Sequence, residues 1–306
     1  MTEINDKKPE KKPDKKGRKG WLIGVVAFLL LAVGAIVYLI IDMDTQRRAM
    51  EEYERMQQLA AAVTPVPTQA PTPTPAPEPE ETESTPTPTP TPKRAMVEVP
   101  EKDIDWDALH EKNKDIYAWI YVPDTRVDYP ILQHETDDTF YLNHNVDGSP
   151  GYPGCVYTEK LWNTKDFDDP NTVLYSHNLR SGEMFSTLHY FEDEEFFEGD
   201  HYIFIYREDK EPLAYQIFGA YETNSIHLLA NGDMHNVYQY EQYLQNLYYA
   251  GSRIAHYRYD IQLDTDDYII TLSTCTNGAG KDRRWLVQGV LLNPPMPQSD
   301  LPDIDL

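Results

Sequence analysis

The chain has 306 residues, with 27 basic against 51 acidic side chains and a formal charge of −24. Only the part beyond about residue 100 mixes apolar and polar residues as a packed domain does, which leaves roughly 200 residues, enough for one sizeable core. The strong acidity argues against nucleic acid as a partner and is read as a well-solvated surface.

Residues 1–20 carry eight Lys or Arg and four acids, followed by an uncharged apolar run, WLIGVVAFLLLAVGAIVYLII, at 21–41. A helix of that length spans about 30 Å of hydrocarbon. A cleaved signal peptide has a shorter apolar core, about 7 to 15 residues, and a small-residue cleavage site. Here Asp42, Met43 and Asp44 follow instead, so the run is predicted to be a retained single-pass anchor. The basic tail then stays cytoplasmic and everything after residue 41 faces outward.

Residues 42–63 are rich in helix formers, and Ala49, Tyr53, Met56 and Ala60 share one face. The pattern predicts a juxtamembrane helix, with a short coiled coil as the alternative use of that face. A linker at 64–100 comes next. Its 64–92 tract contains eleven prolines and ends in TPTPTPTP. Extended at about 3.1 Å per residue, such a tract reaches roughly 90 Å, and it reads as a spacer holding the following domain off the membrane.

The folded domain is expected at 101–295, with a tail at 296–306. It opens on a helical pattern at 103–119, in which Trp106, Leu109 and Ile116 fall near one face. Strand-like runs follow at 119–122, 129–133, 155–157, 172–176, 202–206, 213–221, 267–274 and 285–292. Eight short strands separated by turn signals predict a barrel or sandwich. Helical patterns interrupt them at 183–199 and 236–251. In the second, Tyr240, Tyr243, Leu244, Leu247 and Tyr248 form an amphipathic face for core packing, and Gly251 is placed to end the helix.

The cysteines are Cys155 and Cys275, and in an oxidising compartment their number alone allows one disulfide. The surroundings of Cys275 suggest chemistry instead. It ends an apolar strand and opens a polar turn, TNGAGKD, beyond which stand Arg283 and Arg284. A thiol at a strand end is open to substrate, and a nearby cation or histidine is what converts it into a nucleophile. His177 also directly follows a buried-looking strand, TVLYS, and precedes a turn. Cys155 is read as a buried strand residue.

TLSTC at 271–275, followed by Arg284 at a strand start, resembles the TLxTC...R signature of sortases. LYSHN at 174–178 with Met184 and Phe185 resembles their catalytic-histidine segment, and YPILQ with FYLNHNVDG at 140–148 is similar to class B sortases. The resemblance covers about residues 105–292. It implies a mainly β fold with added helices: an eight-stranded sortase-type barrel, an N-terminal helical extension and a helix inserted before the cysteine strand. It also implies a membrane-anchored cysteine transpeptidase with Cys275 as nucleophile, His177 as proton carrier and Arg284 as oxyanion and substrate holder. Arg284 is preferred to Arg283 because it aligns with the strand start. Ser273 and Thr274 are the implied substrate contacts.

The partners implied are a sorting-signal peptide of NPxTN-like or LPxTG-like type and an amine acceptor of the cell wall or a pilin. No cofactor or metal is expected, since the histidines lack an HExxH or paired-ligand spacing. A cysteine protease or amidase without transfer, and a non-enzymatic surface module, are the alternative functions.

Overall fold

Residues 15–60, 97–251, 253–277 and 282–293 are described by the structure, a computed structural model. The predicted tail at 296–306, the Pro/Thr tract and the middle of the turn after Cys275 lie outside the described residues. The chain divides into two compact units, Met1–Arg48 and Ala49–Leu306.

In the first unit the long helix α1 (Lys15–Leu59) carries the apolar run. Its stretch from Gly24 has a mean hydropathy of 2.9 over an unburied window, so it is long and apolar enough to cross a membrane as an anchor or signal sequence does. Phe28, Leu31, Val33 and Ile36 on it are all exposed.

In the second unit the end of α1 belongs to the core. Tyr53, Met56 and Ala60 are at most 1% exposed, so the face that could have formed a coiled coil is spent within the unit. Beyond the Pro/Thr tract the chain resumes beside this helix. The Asp105 N–H donates to Leu59 O at 2.9 Å, and Lys102 Nζ donates to Ala60 O at 2.9 Å. The tract's flanks are therefore joined.

The helical pattern at 103–119 is realised only as α2 (Trp106–Lys112), capped by Asp105, whose side chain accepts from the Ala108 N–H. Asn113 ends it in an extended conformation, and its amide is drawn off to Tyr141 Oη and Val146 O. Residues from Ile116 onward are strand because their β-branched and aromatic side chains pack in a sheet.

Among the described residues nine strands follow: β1 (Ile116–Tyr121), β2 (Asp128–Leu132), β3 (Val156–Tyr157), β4 (Asn171–Tyr175), β5 (Tyr202–Arg207), β6 (Lys210–Asn224), β7 (Ala255–Tyr257), β8 (Ile269–Cys275) and β9 (Arg283–Leu291). Eight close a barrel in the order β5-β1-β2-β3-β4-β8-β9-β6, with β6 returning to β5. Closure removes the free edges that an open sheet must protect. The pairs β2–β3 and β4–β8 are parallel. The ninth strand, β7, extends the second half of β6, the half that β5 does not reach. It is short and polar-flanked, and the sequence pattern gave no sign of it.

The expected helix at 183–199 is a 3-10 helix at Ser186–Glu192 followed by α3 (Glu194–Glu198), split by Asp193, whose carboxylate caps the second piece. The inserted helix before the cysteine strand is α4 (Val237–Leu247). It ends before Gly251, which serves a different purpose: a Cβ there would collide with Ala255.

Trp119, Ile131, Leu174, Ile205, Leu272 and Trp285 fill the barrel. A second cluster lies between α4 and the outer face, built from Phe218, Tyr240, Leu244, Ile269 and Leu286. Polar residues tie α4 down. Gln288 Nε2 donates to Tyr243 Oη and to Thr271 Oγ1, each at 2.8 Å. Asn171 Nδ2 donates to Tyr243 Oη at 3.1 Å, and Tyr221 Oη donates to Gln288 Oε1 at 3.0 Å. Gln288 and Thr271 are fully buried, so each bond replaces water that cannot enter. Tyr243→Phe leaves two buried amide donors short of an acceptor and is expected to cost about 1–3 kcal/mol, read as a lowered midpoint in chemical denaturation.

Candidate active site

The parallel ladder of β4 and β8 runs from Asn171 opposite Ile269 to Tyr175 opposite Ser273. It continues as the Ser176 N–H donates to Ser273 O at 3.2 Å. Both strands therefore end at the same rim. His177 and Cys275 each lie two residues beyond the last pair, where the two neighbouring strands come out of the sheet. On the other side, antiparallel β9 sets Arg284 directly opposite Cys275. The alternation of side chains gives Cys275 the face of Thr271 and Ser273, and Arg284 that of Leu286 and Gln288.

His177, Cys275, Arg284, Ser273 and Thr274 all line one cleft of about 350 Å³, walled by Tyr157 and Tyr175. Cys275 is exposed and Cys155 buried, and both are free thiols, so no disulfide joins them. Burial pushes the Cys155 thiol up to about 12, which leaves it un-ionised and inert. Ser273 presents its side chain on the same face as Cys275. Thr274 points the other way, and its hydroxyl donates to Ser176 O at 2.9 Å.

The His177 ring is held by the 140–155 segment. Its Nε2 lies 2.7 Å from the Leu142 carbonyl, so that nitrogen carries the proton and Nδ1 is the free acceptor. Tyr152 packs against the ring, centroids 4.9 Å apart. Burial lowers the His177 pKa below its ordinary value, a shift that the Leu142 hydrogen bond opposes. Burial thus favours the neutral imidazole.

The adjacent arginines are used differently. Arg283 Nε and Nη2 donate to Glu222 Oε1 at 3.0 and 2.5 Å. Glu222 is 2% exposed, and Arg283 holds its carboxyl below the usual range. Arg284, one residue on, faces the cleft. The opposite cleft wall carries Glu159, whose Oε2 lies 2.6 Å from His227 Nε2. His227 Nδ1 accepts from the Ala230 N–H, so Nε2 is the donor to the carboxylate. Burial raises the Glu159 pKa, with His227 acting against it.

Several residues that sequence reasoning passed over fix the backbone of Cys275. Asn178 Nδ2 donates to the carbonyl of Cys275 at 3.0 Å and to Asn277 Oδ1 at 2.9 Å. His189 Nε2 lies 2.9 Å from the same carbonyl, with Nδ1 2.6 Å from Glu192 Oε1. The His189 ring stacks on Trp285. Asn178 follows the candidate histidine and could have been suspected from LYSHN. Nothing in the spacing of STLHYF sets His189 apart.

Residues 120–292 match the sortase domain family. The chain belongs to the sortases, and within them to class B. It is 32% identical over 185 residues to sortase B of Listeria monocytogenes, covering 60% of this chain and 72% of that protein. The structure of Clostridium perfringens sortase B superposes with a TM-score of 0.55 at 30% identity, over 62% of this chain and 100% of the other. A Staphylococcus aureus sortase B–substrate complex gives a TM-score of 0.51 at 26% identity, over 60% and 83% of the two chains. As a sortase the protein is a cysteine transpeptidase that anchors surface proteins, and its closed eight-stranded barrel is the one that the motifs implied.

The clamp on Cys275 O sets where the sortase's strand end stops. His189→Ala is expected to lower kcat about tenfold with KM little changed, because slight misplacement of a reacting group is costly. Peptide-cleavage kinetics check this.

Proposed function

We propose that Cys275, His177 and Arg284 form the catalytic group of this sortase, acting on an NPxTN-like sorting signal. The supporting observation is the parallel β4–β8 register, which brings two distant segments to one rim, with Arg284 across the hairpin from the thiol.

In this reading the free Nδ1 of neutral His177 takes the Cys275 thiol proton as sulfur attacks the carbonyl carbon of the signal's threonine. Arg284 donates to the oxyanion that forms. The C–N bond to the next residue then breaks, and His177 returns its proton to the leaving amine. A thioester to Cys275 remains. The amine of a peptidoglycan precursor or another wall acceptor attacks it and gives a proton to His177. The C–S bond then breaks as the new amide forms, and His177 returns the proton to sulfur, restoring the thiol and the neutral ring. Ser273 contacts the bound peptide from the nucleophile's face. Thr274 lines the same cleft and contributes through its backbone, since its hydroxyl is occupied.

The anchor is taken to be residues 21–41, with the basic tail cytoplasmic and the 101–295 domain outside. An aqueous, wall-facing location agrees with the acidic surface and the exposed thiol.

The test uses the full chain in detergent micelles with NPxTN-like and LPxTG-like peptides, with and without an amine acceptor. Cys275→Ala is expected to abolish turnover. His177→Ala should lower it by about 10²–10⁴ and Arg284→Ala by about 10²–10³. An acceptor-joined product marks transfer, whereas hydrolysis alone at every amine concentration, or activity surviving Cys275→Ala, overturns the reading. Arg283→Gln should leave turnover near wild type but destabilise the fold by about 1–3 kcal/mol, since it removes the main partner of buried Glu222.

The pH dependence follows from burial of His177. A lowered pKa keeps the ring neutral further into acid, so the acid limb of kcat/KM should lie below the ordinary histidine value of about 6.5. An acid limb above that value would contradict the assignment.

A further inference from the structure

Tyr53, near the end of α1, is 1% exposed. Its hydroxyl donates to the Gly154 carbonyl at 2.6 Å, with the Cys155 thiol 3.1 Å away. Its ring meets Tyr129 edge-on, centroids 5.6 Å apart. Both contacts lead to His177.

By the first route, Gly154 has φ +68, and a Cβ there would stand 2.9 Å from Leu142 O, 3.0 Å from Tyr141 O and 3.3 Å from His177 Cδ2. The Gly154 backbone is thus packed against the imidazole, and only glycine fits. Tyr152, which stacks on the same ring, and Leu142, whose carbonyl holds Nε2, lie on the same segment. By the second route, the Tyr129 hydroxyl accepts from the Met184 N–H at 3.1 Å. The next residue, Phe185, donates its N–H to His177 O at 3.0 Å. The ring and the backbone of His177 are therefore reached from one tyrosine.

We propose that Tyr53 is a positioning residue for His177, which makes the membrane-proximal end of α1 a working part of the catalytic unit as well as a tether. The inference rests on the role assigned to His177 above. The hydroxyl is the part that matters, because the ring alone would pack equally well as phenylalanine while leaving the Gly154 carbonyl without this donor. With that bond gone, the 152–155 segment can move away from the imidazole and admit water.

The experiment compares full-length wild type, Tyr53→Phe, Met56→Leu and His177→Ala in detergent micelles. It reads peptide-cleavage kinetics and, in histidine-labelled protein, the NMR titration of His177. Tyr53→Phe is expected to lower kcat about tenfold with KM within about twofold. The His177 titration should move up towards the ordinary value of about 6.5 as its ring is rehydrated. Met56→Leu changes the same buried helix face without touching that hydrogen bond and should behave as wild type. A Tyr53→Phe enzyme with wild-type kcat and an unmoved titration overturns the proposal, as does an equal loss in Met56→Leu, which would make the effect general packing. Activity surviving His177→Ala would remove the catalytic role of His177. The titration, read without turnover, would still report the positioning contact.

Discussion

The parallel pairing of β4 with β8 is the constraint on which the site depends. Antiparallel neighbours would have sent the ends of these strands to opposite rims. Parallel neighbours with Tyr175 opposite Ser273 bring both ends out together, and the residues that follow are His177 and Cys275. A register slip of one residue would turn either side chain to the other face. The register is well defended: Thr274 bonds to Ser176 O on one face, and Thr271 donates to Asn171 Oδ1 at 2.8 Å on the other. The same polar residues that pin the strands in depth thus fix the geometry at their tips.

Around that register the molecule divides its charges by duty. Alternation along β9 sends Arg283 to buried Glu222 and Arg284 to the cleft. The first pair closes the end of β9 on β6 and keeps the strand from fraying beside the site. A buried carboxylate with two arginine neighbours, Arg283 and Arg253, has its desolvation offset by charge-assisted bonds. Arg284, on the other face, lines the cleft beside Cys275. His177 shows the converse, since partial burial without a carboxylate partner among its described contacts favours the neutral ring. That is the protonation state in which it can accept a proton.

The loop structures near the site are held by backbone carbonyls more than by side-chain pairs. Leu142 O orients the imidazole, Gly154 O receives Tyr53, and Cys275 O receives Asn178. Such contacts join segments far apart in the chain, here by 35, 101 and 97 residues. They order the rim from several distant parts of the chain at once. The helix end carrying Tyr53 takes part in this ordering, and the segment after the Pro/Thr tract rejoins the chain at Leu59 and Ala60.

Local sequence patterns alone were enough for the apolar helix, for the eight barrel strands to within a few residues, and for five of the residues that line the cleft, Cys275, His177, Arg284, Ser273 and Thr274. These follow from local patterns: an uninterrupted apolar run, alternating β-branched and aromatic side chains, and chemical groups at strand ends. The sequence overextended the helix at 103–119 because Trp106, Leu109 and Ile116 satisfy a helical period, while Asn113 is drawn into long-range bonds that end the helix early. It missed β7, whose three residues pair only because β6 offers an edge. It could not foresee Tyr53 against Gly154, His189 against Cys275 O, or the pairing of Arg283 with Glu222. Those depend on which distant backbone groups arrive beside a side chain once the barrel closes, and that is decided by strand register and packing, which no local pattern encodes.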